Sequence, residues 1–203
     1  MATVIFKEIP ITPSKIVCIG RNYAAHIEEL GNEIPDDMVV FNKPSSAISN
    51  TLYSTLDEPL HYEGELAFVV EAGKLAAVGF GLDLTKRTLQ SKLKGKSLPW
   101  ERAKAFDGAA LFSEFVSLPQ EISKLSLELI VDGELRQEGG VELMMYKPET
   151  ILRELSKFTT LEDGDIIMTG TPEGVGVVNA GEHFEGVVLA GTEKLVTATW
   201  TAE

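Results

Sequence analysis

The stretch His61-Tyr62-Glu63-Gly64-Glu65-Leu66-Ala67-Phe68-Val69-Val70 reads as a strand that carries two carboxylates into apolar surroundings. Side chains alternate along a strand, so Glu63 and Glu65 share a face with Ala67 and Val69, while Tyr62, Leu66, Phe68 and Val70 take the other. Beyond the acids both faces are apolar, the pattern of a strand buried on two sides. Two neighbouring carboxylates near a core repel each other and lose hydration, which raises their pKa values or calls for a cation between them. Magnesium or manganese suits such oxygen ligands. Asp83, in Gly79-Phe80-Gly81-Leu82-Asp83-Leu84-Thr85, is the natural third ligand on a second apolar strand, with a helix cap after Thr85 as its competing role. A bare Glu-x-Glu is common, and by itself it leaves a solvated pair at a sheet edge as the stronger reading.

A second constellation sits in Arg21-Asn22-Tyr23-Ala24-Ala25-His26-Ile27-Glu28-Glu29-Leu30, which reads as a short helix with Asn22 as cap and Gly31 or Asn32 as stop. His26 and Glu29, three apart, share a face of it. A carboxylate that fixes an imidazole's tautomer lets it act as general base on a water, although an ordinary surface pair has the same spacing and is favoured by spacing alone. Two lysines add charge. Lys43, in Phe41-Asn42-Lys43-Pro44, faces either an anionic ligand or water, and Lys104, flanked by alanines and followed by Phe106, is partly buried and needs a partner such as a substrate carboxylate. Gly170-Thr171-Pro172-Glu173-Gly174-Val175-Gly176 follows a strand over Ile166 to Thr169 and offers backbone N–H groups and hydroxyls to an anion. It lacks the Gly-Lys-Ser/Thr ending of a phosphate-binding P-loop.

The elements that must position these residues fit one domain. The chain has 203 residues, 44% apolar and 24% charged, enough for a substantial single core, with no internal repeat and no linker. Its 31 acids against 18 bases give a charge of -13, which argues against nucleic acid or an anionic membrane as partner. Cys18 is the single cysteine and sits in an apolar run, so it reads as packing. No apolar stretch approaches a membrane span and no secretory leader is evident, which makes a cytoplasmic location the default. Strands are expected over residues 1 to 12 at an edge, Lys15 to Gly20, and Leu125 to Val131, the last turning at Asp132-Gly133 into Glu134 to Glu138. Residues 86 to 97 read as a short helix and exposed turn, Pro148 to Phe158 as the clearest, core-scaffold helix, and the remainder to Glu203 as two or three short strands.

In this order the blocks Arg21-Asn22-Tyr23-Ala24-Ala25-His26, Phe41-Asn42-Lys43-Pro44, Glu63-Gly64-Glu65-Leu66, Leu82-Asp83-Leu84-Thr85, Lys104-Ala105-Phe106 and Thr169-Gly170-Thr171-Pro172-Glu173-Gly174-Val175-Gly176 resemble the fumarylacetoacetate hydrolase family. The likeness is to its small single-domain members of the acylpyruvate hydrolase and oxaloacetate decarboxylase type, from about Ile16 to the C-terminus. It departs at Thr85-Lys86-Arg87-Thr88, where relatives carry Thr-x-Arg-Asp, and in a shortened segment between Val70 and Gly79. Both bear on the pocket rim and substrate preference.

The resemblance implies a β-rich, multilayered α+β fold with few short helices, and a homodimer. It implies Mg2+ or Mn2+ held by Glu63, Glu65 and Asp83, and a catalytic set of His26, Glu29 and Lys104, with His26 and Glu29 on a lid. Contacts to a small 2-oxo acid would come from Arg21, Tyr23, Lys43, Gly170 and Thr171. The implied reaction is hydrolysis of a C–C bond in acylpyruvates to pyruvate and a carboxylic acid, with oxaloacetate decarboxylation at the same site. The alternatives are isomerisation or decarboxylation of hydroxymuconate-type intermediates, and a silent 2-oxo acid binder.

Overall fold

The computed structural model describes residues 3–29, 31 and 35–203. Strands dominate, as expected, with four short α-helices among the described residues. The strand Gly64–Glu71 is buried at every position but its last, and its faces divide as its alternation predicts. Leu66 and Phe68 enter one apolar cluster and Ala67 and Val69 another, until an irregularity at Val69/Val70 turns Val70 into a third.

This strand lies inside a seven-stranded sheet in the order Ala110–Phe112, Lys74–Asp83, Gly64–Glu71, Ile166–Met168, Lys15–Gly20, Val39–Pro44, with Val116–Ser117 also pairing on Lys74–Asp83. Only Ile166–Met168 and Lys15–Gly20 run parallel; the other pairs in the sheet are antiparallel. The consequence is positional. Gly64 pairs with Leu82, Met168 with Ala67 and Cys18 with Met168, so Glu65, Asp83, Gly170 and Arg21 all arrive at one end of the sheet. The sheet curls until the chain beyond Val39–Pro44 meets its opposite edge, where Ile48 bridges Ala110 and Ser49 N–H donates to the Ala110 carbonyl at 2.9 Å.

The concave side is filled by Ile16, Cys18, Ala67, Val69, Ala77 and Met168, with Phe41 and Phe112 packed against them. Cys18 is packing there, as expected, and burial followed by the charge of Asp83 pushes its thiol well above the usual range, so it is inert. The other side carries Leu66, Phe68, Phe80 and Leu82 against Leu125, Leu127, Leu129 and Phe184 of a second sheet, ordered Glu134–Gly140, Leu125–Val131, His183–Ala190, Glu193–Thr201. Burying each of these phenylalanines or leucines stabilises the fold by about 1.5–3 kcal/mol.

Helix α1 spans Ala24–Glu29, α2 Arg87–Lys94, α3 Glu101–Lys104 and α4 Pro148–Leu155. Proline opens α4, and Ile151 and Leu155 are fully buried; Phe158, expected on its apolar face, lies beyond the helix and is 65% exposed. Other expectations are corrected. The 61–70 stretch is two strands, Glu58–Tyr62 and Gly64–Glu71, that belong to different sheets and part at Glu63. Residues 4–11 form a hairpin, Val4–Phe6 against Ile9–Ile11, and the C-terminal strands are long. Asn22 does not cap α1: it is buried, donates to the carbonyls of Tyr146 and Thr169 and accepts from Tyr146 N–H, tying three segments together. Leu30 and Asn32, the expected last residue and alternative stop of that helix, lie outside the described residues. Asp83 ends a strand, and the cap role at α2 falls to Glu58, whose Oε1 accepts from the N–H groups of Thr88 and Leu89.

Asp165 fastens the N-terminal segment to the sheet. Its carboxylate accepts from Ser14 N–H and Oγ, Lys15 N–H, the Lys15 ammonium at 2.6 Å and Glu162 N–H. Burial alone would raise its pKa, but Lys15 and Ser14 hold it below the ordinary range. Its contribution is therefore present above about pH 4 and lost as pH falls through the lowered value. Asp165→Asn is expected to cost about 1.5–3 kcal/mol in urea unfolding at pH 7. The difference from wild type should shrink in acid; a constant difference would contradict this assignment.

Candidate metal centre

Glu63, Glu65 and Asp83 come together at the sheet end. All three are buried, and each offers an oxygen within 4.8 Å of the others. Glu63 sits at the corner between two strands, Glu65 on the concave face beyond it, and Asp83 at the end of the neighbouring strand, whose N–H donates to the Glu63 carbonyl at 2.8 Å.

Charge around them is uneven. The Lys104 ammonium, on the one-turn helix α3, lies 2.8 Å from both Glu63 Oε2 and Asp83 Oδ2 and donates to Thr85 Oγ1. Arg87, from the first turn of α2, donates to Glu63 Oε1 at 2.7 Å. Lys43, expected beside the substrate, is instead fully buried behind the acids. Its ammonium lies 2.8 Å from Asp83 Oδ1, off the hydrogen-bond axis, and donates to the carbonyls of Leu84 and Lys104. It reaches the site because the curled sheet brings its strand around.

The consequences for protonation follow. Burial would raise Glu63, but Lys104 and Arg87 overrule it and hold the carboxyl well below the carboxylate range. Burial would lower Lys104, but Asp83 and Glu63 hold it above the ordinary lysine value, so it stays cationic. Glu65 has no cation of its own among the described residues. It accepts Gly170 N–H at 2.7 Å, and burial, then Asp83 and Glu63, push its carboxyl well up. A buried all-oxygen cluster with one uncompensated acid fits a hard divalent cation.

Above the acids lies α1. His26 lines the same cleft as Glu63, Glu65, Asp83 and Lys104, and its Nδ1 is 3.1 Å from Glu29 Oε2. An ionised carboxylate only accepts, so a neutral ring paired in this way has its proton on Nδ1 and its lone pair on Nε2. Glu29 Oε1 in turn accepts Gly174 N–H at 3.0 Å. Two glycines make this possible. Gly170 and Gly174 hold φ of +93° and +95°, and a Cβ at Gly174 would overlap the Arg136 carbonyl oxygen.

The remaining expected residues divide. Arg21 and Thr171 line the cleft, but the Thr171 hydroxyl is spent on Gly64 carbonyl at 2.9 Å and on Gln137 Nε2. Gly170 touches Glu65, and so orients the acid. Tyr23 does not reach the cleft: it is 2% exposed and borders a separate cavity with Leu143 and Pro172. Sequence reasoning missed Gln137, which also accepts Gly64 N–H at 2.8 Å and locks the corner beside Glu63 to the glycine-rich loop. It also missed Gln90, Lys94 and Trp100 in the cleft wall. The helical spacing of Arg87, Gln90 and Lys94, which puts them on one face, was the available signal. Thr88, where the family pattern has an acid, is exposed and outside the cleft. The shortened segment is a tight hairpin turning at Ala72 and Gly73.

The model of the fumarylacetoacetate (FAA) hydrolase C-terminal family matches residues 15–199. The chain belongs to the fumarylacetoacetate hydrolase family. Among its relatives it is 38% identical over 190 residues to the oxaloacetate tautomerase YcgM of Escherichia coli K12, covering 84% of this chain and 86% of that one. It is 40% identical over 205 residues to the human mitochondrial oxaloacetate tautomerase FAHD1, covering 93% and 91%. Among solved structures in the family, fumarylpyruvate hydrolase from Pseudomonas aeruginosa, in complex with Mn2+ and pyruvate, superposes with a TM-score of 0.86 at 28% identity, over 100% of this chain and 97% of that one. No helix among the described residues is long and apolar enough to cross a membrane.

Glu65→Gln removes the uncompensated charge while keeping the shape. The metal-free variant is expected to melt higher than metal-free wild type, and added Mn2+ to raise the wild-type midpoint but not the variant's. Equal Mn2+ stabilisation of both would show that the acids are not the metal seat.

Proposed function

We propose that the protein catalyses divalent-metal-dependent proton transfer at the carbon beside the 2-oxo group of a 2-oxo acid, interconverting the keto and enol forms of an oxaloacetate-like substrate. The observation that carries this reading is the convergence of the His26–Glu29 pair, the three acids and Lys104 on one cleft. Glu63, Glu65 and Asp83 would hold Mn2+ or Mg2+, which when bound supplies a Lewis acid for the 2-oxo oxygen and favours the enolate.

The chain's own residues do the rest. His26 has Nε2 to accept the C3 proton and deliver it to the 2-oxo oxygen, which gives the enol, or to run the transfer in reverse, and Glu29 steadies the imidazolium formed in between. Lys104, held by Glu63 and Asp83, adds positive charge beside the acids, and Arg21 in the cleft offsets negative charge on the substrate. Glu29 also anchors α1 to Gly174, which holds the helix over the cleft and limits water. Similarity to oxaloacetate tautomerases supports the same choice.

Acylpyruvate hydrolysis is the second reading, favoured by the likeness to a fumarylpyruvate hydrolase. There His26 would activate water against the distal carbonyl, and the C–C bond would break to release the pyruvate enolate. The two differ in their need for water. Proton NMR in D2O of oxaloacetate C3–H exchange, beside the ultraviolet decay of acetylpyruvate, separates them. His26→Ala is expected to slow the exchange by about 100-fold or more while leaving Mn2+ binding in place. Wild-type cleavage of acetylpyruvate without oxaloacetate exchange would select hydrolysis, and undiminished exchange in the variant would remove His26 from the mechanism.

A further inference from the structure

The cations of the cleft are nearly all committed. Arg87 is engaged by Glu63, Lys104 by Glu63 and Asp83, and Lys43 by Asp83 from behind. Lys94 is different. It sits on the last turn of α2 and lines the cleft, yet its ammonium forms no ion pair among the described residues. Its neighbour is the Trp100 ring, 4.9 Å from centroid to ammonium, which fixes the charge against the cleft wall. The charged groups facing it are Arg21 at the end of Lys15–Gly20, Arg87 on its own helix, Lys104 on α3 and Glu63 at the strand corner. Three of these four are cations. Burial, then Arg21 and Arg87, push the Lys94 pKa down to about 8.

We propose that Lys94 is a specificity-determining residue that receives the second carboxylate of a short dicarboxylic 2-oxo acid. This rests on the reading of the cleft as a metal-dependent site for an oxaloacetate-like acid and names the residue that selects its second carboxylate. A half-buried lysine crowded by cations is unfavourable until an anion joins it. A monocarboxylic 2-oxo acid brings one carboxylate, used at the metal end, and leaves Lys94 unrelieved. A dicarboxylic acid brings the missing partner. The chain as a whole carries a charge of -13, so this local excess of positive charge belongs to the cleft alone and discriminates rather than attracts anions generally.

Malate and lactate make the test independent of turnover, because they are unreactive 2-hydroxy acids that differ chiefly in the second carboxylate. Calorimetric titration of the Mn2+-loaded protein is expected to show malate binding about tenfold or more tighter than lactate. Lys94→Met should bring malate down to the affinity of lactate, and Lys94→Arg should keep most of the preference. Equal binding of the two acids to wild type, or a malate preference that survives in Lys94→Met, would overturn the proposal. C3–H exchange of oxaloacetate and pyruvate in the same samples tests the chemistry separately. A malate preference that depends on Lys94, with exchange of neither acid, would sink the enolisation reading and leave the carboxylate site standing.

Discussion

Three carboxylates buried within 4.8 Å of one another are the constraint that the structure is built to meet. An ion taken out of water costs several kcal/mol unless it is paired, and clustering like charges adds repulsion to that cost. The fold answers with cations from separate places: Lys43 from a strand brought around by sheet curvature, Arg87 from a helix start, and Lys104 from a single helical turn. These neutralise Glu63 and Asp83 and leave Glu65 repelled by both, with the backbone N–H of Gly170 donated to it. The imbalance is local, buried and all oxygen. It is the physical basis for placing a divalent cation there.

The same short loop that orients Glu65 also holds helix α1. Gly170 donates to Glu65 at one end and Gly174 to Glu29 at the other, while Gln137 and Thr171 bind the loop's middle to the backbone of Gly64. The carboxylate cluster, the His26–Glu29 pair and the cleft wall are thus joined by one hydrogen-bonded frame. Both glycines hold a left-handed backbone, so a side chain at either would disturb the acid and the histidine through the loop rather than by touching substrate.

Local pattern made much of this legible. The apolar faces of the 64–71 strand, the glycine-rich loop after Ile166–Met168 and the proline-led helix at 148 all follow from periodicity and turn chemistry. What depends on distant partners was not legible. Lys43 lies 41 residues from the Leu84 carbonyl it holds, and nothing near it in the chain announces burial. Gln137 belongs to a strand whose flanking residues Arg136 and Glu138 are charged and exposed, so its role at the corner carries no local signal. The break at Glu63 arises where one run of β-formers serves two sheets, a choice made by packing and not by propensity. Asn22 reads as a cap, yet three separate segments claim its amide.

The most direct measurement is anomalous scattering from crystals grown with Mn2+ and pyruvate, collected near the manganese absorption edge. The expected result is a single strong peak in contact with carboxylate oxygens of Glu63, Glu65 and Asp83, with pyruvate beside it and the His26 imidazole facing the pyruvate methyl. Absence of a peak among the three acids, or Mn2+ bound elsewhere while Lys104 still bridges Glu63 and Asp83, would contradict the metal seat and the chemistry built on it.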